Sequence, residues 1–301
     1  EQDIDLNVVA INDLGDYENL AYLFKHDSIM GVLDADITIQ NEILRINERE
    51  IKLVSISEPS KLPWKELSVD IVIESTGIFT NKESLNEHIN AGAKKVILTV
   101  PPKDEIDATI VLGVNDDTLT NDSKIISNAS CTTNCLAPIA KVLNDNFIIK
   151  SGLMTTVHAY TNDQALAERT HSDFRRGRNA TQNIIPTSTG AAKAVGMVMP
   201  ELHGKLDGMA MRVPVPNGSV VDLIVELEKS VTVDEIGPTV ERLQVIGPLP
   251  AELILPQVVF NPTTPHKLAG ILIDPPPSSP KEIGHNPAET AAADPLEDPP
   301  G

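Results

Sequence analysis

Cys131 and Cys135 are the only thiols of this 301-residue chain, and they lie four residues apart in the stretch SNASCTTNCLAP, residues 127–138. An apolar segment (124–126) precedes the stretch and an amphipathic segment (136–143) follows it. This order is typical of a buried strand that ends in a turn and opens a helix. Cys131 would then lie in the first helical turn, where free backbone N–H groups and the helix dipole favour a thiolate. A pair of small core residues explains the two cysteines equally well.

His158 is the natural partner for Cys131, because it stands in the middle of the apolar segment 154–161. A lone histidine on such a strand is more often a satisfied core residue than a catalyst. Near a thiol at a helix start, however, it could lower the thiol pKa and then act as acid or base. Arg212 could supply the fixed charge that a phosphate requires. Small and hydroxyl residues that suit an oxyanion or phosphate site are Ser130, Thr132, Thr161, Thr187, Ser188, Thr189 and Gly190.

The elements that position these residues follow from the hydrophobic pattern of the first half of the chain. Short apolar segments that alternate with two predicted helices (16–25 and 83–91) indicate a mostly parallel sheet covered on both faces. Ligands of such sheets bind at the carboxyl ends of strands, where Asp13, Thr76, Thr99 and the cysteine stretch lie. The predicted strands span residues 6–11, 37–39, 43–46, 51–56, 69–75, 94–100, 109–114 and 124–126.

The pattern changes near residues 128–132, where we place a domain boundary. After a helix at 132–146 come longer strands at 152–161, 208–216 and 219–227, and a loop that passes into a helix over 184–198. Few helices separate these strands, so we expect a second domain of α+β type with a more antiparallel sheet. Residues 246–301 hold more than half of the 23 prolines and no sustained amphipathic period, so they are expected to be disordered. Only 253–260 could form a short strand there.

Composition narrows the class of protein. A net charge of −19 argues against nonspecific binding to nucleic acid or to acidic membranes, although it leaves room for a small anionic substrate. The sequence has no apolar run long enough to span a membrane, and its acidic start does not resemble a signal peptide. Two cysteines four residues apart indicate a reducing, cytoplasmic compartment. With no second Cys/His pair at ligand spacing, no metal site is predicted.

Four motifs together resemble the phosphorylating glyceraldehyde-3-phosphate dehydrogenase family. They are residues 127–138, TTVHAYTNDQ (155–164), IPTSTGAAK (185–193) and GMAMRVP (208–214), and the resemblance runs from about residue 6 to about residue 241. It implies an α/β fold with a Rossmann-type parallel sheet and an α+β catalytic domain. It also implies oxidation and phosphorylation of D-glyceraldehyde 3-phosphate to 1,3-bisphosphoglycerate, with hydride transfer to NAD through a cysteine thioester.

The resemblance assigns roles to individual residues. Cys131 resembles the nucleophile, and His158 the base that activates it and assists hydride transfer. Asp13 resembles the ligand of the adenosine ribose, which favours NAD, while Arg169 could contact the 2′-phosphate of NADP and leaves that cofactor open. The remaining assignments are Thr161 and Arg212 for the phosphate of the substrate, Ser130, Thr132, Thr189 and Gly190 for inorganic phosphate, and Thr76, Phe79 and Thr99 for the cofactor groove. The arginine run 175–178 resembles a loop that approaches a neighbouring cofactor site in the homotetramer of the family.

The resemblance also divides the chain. We expect an NAD-binding domain over 1–129 without the first strand and glycine-rich loop of the family, an incomplete catalytic domain over 130–245, and a divergent tail over 246–301. Three alternatives stay open at this point. The chain could be a catalytically impaired fragment that acts as an interaction protein, or an erythrose-4-phosphate dehydrogenase. A Cys–His acyl transferase or hydrolase would explain Cys131 and His158, but not Asp13 or the paired anion pockets.

Overall fold

In the computed structural model of the chain, residues 6–232, 235 and 236, 257–260 and 268–272 are described. The helices are α1 (Tyr17–Lys25), α2 (Lys82–Asn90), α3 (Cys131–Phe147) and α4 (Ala191–Val198). The strands of the first half are β1 (Ala10–Asn12), β2 (His26–Asp27), β3 (Gly31–Val32), β4 (Ile37–Gln40), β5 (Ile43–Ile46), β6 (Arg49–Val54), β7 (Ile71–Glu74), β8 (Lys95–Leu98), β9 (Ala108–Thr109) and β10 (Ile125–Ser127). Those of the second half are β11 (Ile149–Ala159), β12 (Ile185–Ser188), β13 (Leu206–Val213), β14 (Ser219–Leu227), β15 (Gln257–Phe260) and β16 (Leu268–Leu272). None of the helices in these ranges has the length and apolar character that crossing a membrane requires.

Two sheets form the first half of the chain. Strands β7, β8, β10 and β9 lie side by side in that order, and all are parallel, as the sequence pattern predicts. In the other sheet, β1 pairs in parallel with β6, while β4, β5 and β6 form antiparallel hairpins. The strands predicted over 37–56 are therefore present, but they belong to a mixed sheet. The parallel sheet contributes the strand ends Glu74, Leu98 and Ser127 to one edge.

A six-stranded mixed sheet forms the second half, in the order β12-β13-β11-β14-β16-β15. Neighbouring strands are antiparallel except β11 and β13, which are parallel. Helices α3 and α4 contribute buried side chains such as Leu136, Leu143 and Val195 to a core that also contains Leu223 of β14. The sheet is thereby covered by helices on one face, and the predicted change to an α+β arrangement is confirmed.

Two local predictions are corrected by the structure. The apolar segment 109–114 was expected to be one strand, but only Ala108–Thr109 pairs, and a turn follows. The side chain of Asn115 forms this turn, since it accepts the N–H of Val111 and donates to the carbonyl of Thr109, both at 2.9 Å. Residues 185–188 were expected to be loop but form β12, an edge strand of the six-stranded sheet. Pro186 is tolerated there because an edge strand does not need every N–H.

The proline-rich tail contains two strands among the described residues. Strand β16 pairs with β14, and β15 pairs with β16, both antiparallel. Strand β15 lies within 253–260, the one stretch with strand potential, whereas β16 was not predicted. These two segments form strands because the backbone of β16 pairs with the edge of β14, and the backbone of β15 then pairs with β16. The rest of the prediction for 246–301 lies outside the described residues.

Candidate active site

The turn that presents Cys131 is fixed by a buried serine. Ala129, fully buried, has a φ of 55°, a left-handed conformation that a non-glycine residue seldom adopts. The hydroxyl of Ser127 accepts the N–H of Ala129 at 3.0 Å and donates to the carbonyl of Val100 at 2.8 Å. The turn between β10 and α3 is thereby tied to the segment that follows β8.

Ser130 then begins the helix. Its hydroxyl accepts the N–H of Thr133 at 3.0 Å and contacts the hydroxyl of Thr133 at 2.6 Å, as expected for an N-terminal cap. Cys131 is the first residue of α3, so the predicted helix start is confirmed, and its side chain is exposed. The hydroxyl of Ser130 therefore already has a structural role as the cap of α3. If Ser130 also binds an anion, the same hydroxyl has to serve both roles.

His158 on β11 faces Cys131. Its Nε2 lies 3.3 Å from the sulfur. The hydrogen bond from His158, helped by its charge and by Thr132, outweighs burial and lowers the pKa of Cys131 to about 7. Burial and the neighbouring Cys131 instead raise the pKa of Cys135 to about 11. One helical turn therefore separates a thiol that ionises near neutral pH from one that stays protonated.

Arg212 lies behind His158 on the adjacent strand. The parallel pairing of β11 with β13 aligns His158 with Arg212, so that the two side chains share a face of the sheet. The Nη1 atom of Arg212 is 2.7 Å from Nδ1 of His158 and 3.0 Å from the carbonyl oxygen of Ala159. Burial and the positive charge of Arg176 lower the pKa of the guanidinium, opposed by Cys131 and Asp163.

A cavity of about 450 Å³ opens beside the two reactive side chains. Of the predicted site residues it contains Cys131, His158, Thr132 and Thr161, and it also contains Cys135 and Thr156. The other lining residues come from the end of β11 and the residue after it, from β14 and from the turn before β14: Ala159, Tyr160, Pro216, Asn217, Gly218, Ser219 and Val221. A more open depression of about 670 Å³, on the loop around residues 171–176, contains neither Cys131 nor His158.

Thr189 and Gly190 lie at the start of α4, outside the lining of the cysteine cavity. The hydroxyl of Thr189 accepts the N–H of Ala191 at 3.2 Å. Thr187, two residues before Thr189, accepts a hydrogen bond from Nε of Arg176 at 2.7 Å, and Nη1 of Arg176 donates to Asp163 at 3.0 Å. The predicted phosphate ligands Thr189 and Gly190 therefore lie near a positive charge, the guanidinium of Arg176.

Arg176 was not among the predicted site residues. The sequence pattern indicates only a loop at 175–178, and the partners of Arg176 lie 11 and 13 residues away, in other segments. The cluster of cations near Arg212 is therefore a finding of the structure.

The predicted cofactor residues fall into two groups. Thr76 and Thr99 meet at Glu74: the backbone N–H of Thr76 donates to the Glu74 carboxylate at 2.7 Å, and the hydroxyl of Thr99 donates to the Glu74 carbonyl at 3.2 Å. The ring of Phe79 contacts His88 edge to face, with centroids 6.3 Å apart. Asp13 lies just beyond the end of β1 in the other sheet, exposed to solvent.

The side chains of the predicted cofactor residues are of the types that bind a dinucleotide. Asp13 carries an exposed carboxylate, whose Oδ1 also accepts the N–H of Gly15 at 2.7 Å, and a carboxylate is the usual acceptor for ribose hydroxyls. Threonine hydroxyls and an aromatic ring line strand ends of the parallel sheet, where such ligands bind. Among the described residues no group of histidine, cysteine or acidic side chains is suited to hold a metal ion.

Comparison with known proteins places these residues in context. Residues 1–82 match the family model of the glyceraldehyde 3-phosphate dehydrogenase NAD binding domain, and residues 130–250 match that of its C-terminal domain. A glyceraldehyde-3-phosphate dehydrogenase of Streptomyces coelicolor is 55% identical over 243 residues, which are 80% of this chain and 72% of the relative. The enzyme of that name from Borreliella burgdorferi is 56% identical (79% and 72% covered), and the one from Geobacillus stearothermophilus 57% (77% and 69% covered).

Proposed function

The chain belongs to the glyceraldehyde-3-phosphate dehydrogenase family, and we propose that it oxidises D-glyceraldehyde 3-phosphate with NAD and inorganic phosphate to give 1,3-bisphosphoglycerate. The observation that carries the proposal is the 3.3 Å contact between the imidazole of His158 and the sulfur of Cys131 at the start of α3. A thiol that ionises near neutral pH is the nucleophile such a reaction requires.

Cys131 begins the reaction by attacking the aldehyde carbon. A C–S bond forms, and the carbonyl electron pair moves to the oxygen, which gives a thiohemiacetal oxygen beside His158. NAD, when bound, would accept the hydride that leaves this carbon, so that Cys131 would carry a thioester. Because a thioester keeps the free energy of oxidation that hydrolysis would release, the site should exclude water while the thioester persists.

Inorganic phosphate then takes the acyl group from Cys131. Its oxygen attacks the thioester carbon, the C–S bond breaks, and the thiolate leaves with the electron pair. In this proposal Arg212 and Thr161 bind the phosphate that belongs to the aldehyde substrate. Ser130, Thr132, Thr189 and Gly190 bind the attacking phosphate, and the nearby Arg176 adds positive charge. The support is that the hydroxyls of Thr132 and Thr161 line the Cys131 cavity and that Arg212 contacts His158, which also lines it. Near the start of α4, Arg176 donates to the hydroxyl of Thr187.

Asp13, Thr76, Phe79 and Thr99 are proposed to hold NAD. Their support is their position at or just beyond strand ends in the first half, part of which matches an NAD binding domain. The carboxylate of Asp13 would repel the 2′-phosphate of NADP, in keeping with NAD. We also propose that the cofactor part spans 1–129 and the catalytic part 130–245. In support, the match to the C-terminal domain begins at residue 130.

The alternatives are not favoured. An impaired fragment and an erythrose-4-phosphate dehydrogenase are less consistent with relatives named glyceraldehyde-3-phosphate dehydrogenase at 54–57% identity over more than three quarters of the chain. A Cys–His acyl transferase or hydrolase does not account for a match to an NAD binding domain.

The chain is also proposed to be a cytoplasmic homotetramer. One face of the six-stranded sheet bears the apolar side chains of Leu153, Met209 and Ile224, which are 63%, 41% and 39% exposed. Phe174, next to the arginine run 175–178, is 89% exposed. A second copy of the chain would cover such a surface. Cys131 and Cys135 are free thiols, which suits a reducing compartment. Light scattering of the purified chain tests the assembly: a mass four times that of the chain is expected, and a monomer would contradict it.

Steady-state assays test the function. The purified chain is expected to form NADH only when glyceraldehyde 3-phosphate, NAD and inorganic phosphate are all present. Erythrose 4-phosphate should be a poorer substrate by kcat/KM. Turnover of a simple ester or thioester in the absence of nicotinamide, with no NADH formed from the aldehyde, would overturn the proposal.

A further inference from the structure

The predicted cofactor residues at the parallel sheet share contacts with one buried pair of side chains. These groove residues are Thr76, Phe79 and Thr99, of which the two threonines are exposed and Phe79 is half-buried. The buried pair is Glu74, the last residue of β7, and His88 of α2, each only 3% exposed. The surface proposed to bind the cofactor is therefore connected to an acidic group inside the fold.

Glu74 holds Thr76 through its carboxylate and Thr99 through its backbone. Its Oε1 atom accepts the backbone N–H of Thr76 at 2.7 Å and also the hydroxyl proton of Thr76. The carbonyl oxygen of Glu74 accepts the N–H of Thr99 at 3.1 Å and the hydroxyl proton of Thr99 at 3.2 Å. One residue thereby connects the segments that follow β7 and β8.

His88 connects Phe79 to the same carboxylate. Its Nε2 atom lies 3.1 Å from Oε2 of Glu74, and its ring meets the ring of Phe79 edge to face. The indole N–H of Trp64 donates to Nδ1 of His88 at 3.1 Å, so Nε2 is the nitrogen that donates to Glu74. Trp64 is itself 5% exposed and stacks against His88 with ring centroids 6.4 Å apart. The imidazole is therefore held between two rings and a carboxylate.

The carboxylate of Glu74 is occupied within the fold. Three donors point at it, the N–H and the hydroxyl of Thr76 and the imidazole of His88, and these hydrogen bonds replace the water that burial removes. The hydroxyl of Thr76 gives its proton to Glu74 and accepts the N–H of Ile78 at 3.1 Å, so toward a ligand it can only accept. Glu74 thus differs from the exposed Asp13, whose carboxylate is available to a ribose.

We propose that Glu74, oriented by His88, is the positioning residue of the cofactor groove. It fixes the three groove residues relative to one another without contacting NAD itself. The inference rests on the proposed function, because it assigns Glu74 a part in the binding of NAD. A groove that is ordered before NAD arrives saves the entropy of ordering these side chains on binding. The affinity for NAD then depends on hydrogen bonds inside the protein.

Calorimetric titration of the full chain with NAD tests the proposal. The amide of Glu74→Gln has one oxygen, which accepts from Thr76 or from His88 but not from both, so the Kd for NAD is expected to rise about tenfold, the equivalent of one hydrogen bond to a charged group. His88→Leu removes the donor and should have the same effect. His88→Gln keeps a donor for Glu74 and an acceptor for Trp64, and its Kd should lie closer to that of the unmodified chain.

A matched control separates positioning from general loss of stability. Leu85→Val removes one methylene from the same helix and the same core, but Leu85 makes none of these hydrogen bonds, so the Kd for NAD should not change. In assays, the KM for NAD should rise in Glu74→Gln and His88→Leu, whereas the KM for glyceraldehyde 3-phosphate should not. If Glu74→Gln fails to fold, Trp64→Phe removes only the donor to His88 and should raise the Kd by a smaller factor.

The outcomes distinguish this inference from the proposed function. A native Kd in His88→Leu and Trp64→Phe, while the unmodified chain binds NAD, would overturn the positioning role and leave the proposed function intact. An equal rise of Kd in Leu85→Val would also overturn it, because affinity would then follow overall stability. An unmodified chain that does not bind NAD would contradict the proposed function itself, and the positioning role with it.

Discussion

The Nε2 atom of His158 lies 3.3 Å from the sulfur of Cys131, although 27 residues separate them in the sequence. The contact joins the first residue of α3 to the C-terminal part of β11. A hydrogen-bond donor at this distance stabilises the thiolate more than the thiol, which is why the pKa of Cys131 falls to about 7. Each prediction below depends on this pair or on the elements that hold it.

Alkylation should distinguish the two thiols. At pH 7 about half of Cys131 is expected to be thiolate, but only about one part in ten thousand of Cys135, because their pKa values are about 7 and about 11. The rate of labelling of Cys131 by iodoacetamide should rise as the pH increases through about 7 and then level off. Peptide mass spectrometry measures this, with Cys135→Ser as the control. Faster labelling of Cys135, or a midpoint near 9, would contradict the assignment.

Replacing His158 by asparagine should separate the thiol from its donor. The thiol pKa is expected to rise toward its ordinary value of 9.0, so that alkylation at pH 7 slows and recovers at higher pH. Dehydrogenase activity should fall by about 10²–10⁴-fold, the usual contribution of a positioned proton-transfer or hydrogen-bonding group. The matched control is His26→Asn, at an exposed position on β2. An unchanged labelling profile in His158→Asn would argue against the contact.

Ala129 has a left-handed backbone conformation, so replacing it by glycine and by valine should change the stability of the fold in opposite directions. At a φ of 55° glycine carries no steric penalty, so Ala129→Gly should stabilise the fold by up to about 1 kcal/mol. Ala129→Val, with a branched side chain at a fully buried left-handed position, should cost about 3 kcal/mol or more. Urea unfolding measures both. The same replacement within α3, Ala140→Gly, should instead destabilise the fold by about 1 kcal/mol, opposite in sign to Ala129→Gly.

The buried pair of Glu74 and His88 should make stability depend on pH. Trp64 donates to Nδ1 of His88 at 3.1 Å, so the opposite nitrogen must donate to Glu74, also at 3.1 Å. Burial would raise the pKa of Glu74, but hydrogen bonds from His88 and Thr76 outweigh it and hold the pKa below the ordinary 4.5. A carboxyl group with a lowered pKa stabilises the fold above its unfolded pKa, and this is lost as the pH falls through the folded value.

Glu74→Gln is therefore expected to lose about 1–3 kcal/mol near neutral pH, since an amide cannot accept from both His88 and Thr76. The difference from the unmodified chain should shrink as the pH falls below 4.5. Urea titrations at several pH values measure this, and Glu50→Gln, in an exposed pair with Arg45, should change stability by less than about 1 kcal/mol. A loss that is the same at every pH would show that the charge of Glu74 is not involved.

Local sequence patterns predicted the elements of the site but not their contacts. The strand–turn–helix around Cys131 follows from neighbouring residues, since small polar side chains separate an apolar run from an amphipathic one. The contact between His158 and Arg212 instead depends on the register of β11 and β13, two strands more than 40 residues apart, which no local pattern fixes. The same reason hid Arg176, whose partners Thr187 and Asp163 belong to other segments.

The incorrect strand at 109–114 has a different cause. Its apolar run has the length and composition of a buried strand, yet the amide of Asn115 bonds to both Val111 and Thr109 and closes a turn. Side-chain hydrogen bonds of this kind compete with strand pairing and are invisible to periodicity. Strand β16 was missed because the pairing edge of β14, not its own pattern, accounts for it.

The most direct measurement is the capture of the acyl group on the chain. With glyceraldehyde 3-phosphate and NAD but no inorganic phosphate, mass spectrometry of the rapidly acidified protein should find the phosphoglyceroyl group on Cys131, together with one equivalent of NADH. Added phosphate should remove the group and leave the thiol free, and Cys131→Ser should carry none. An adduct on Cys135, or NADH formed with no acyl group on Cys131, would contradict the central claim that Cys131, activated by His158, is the nucleophile.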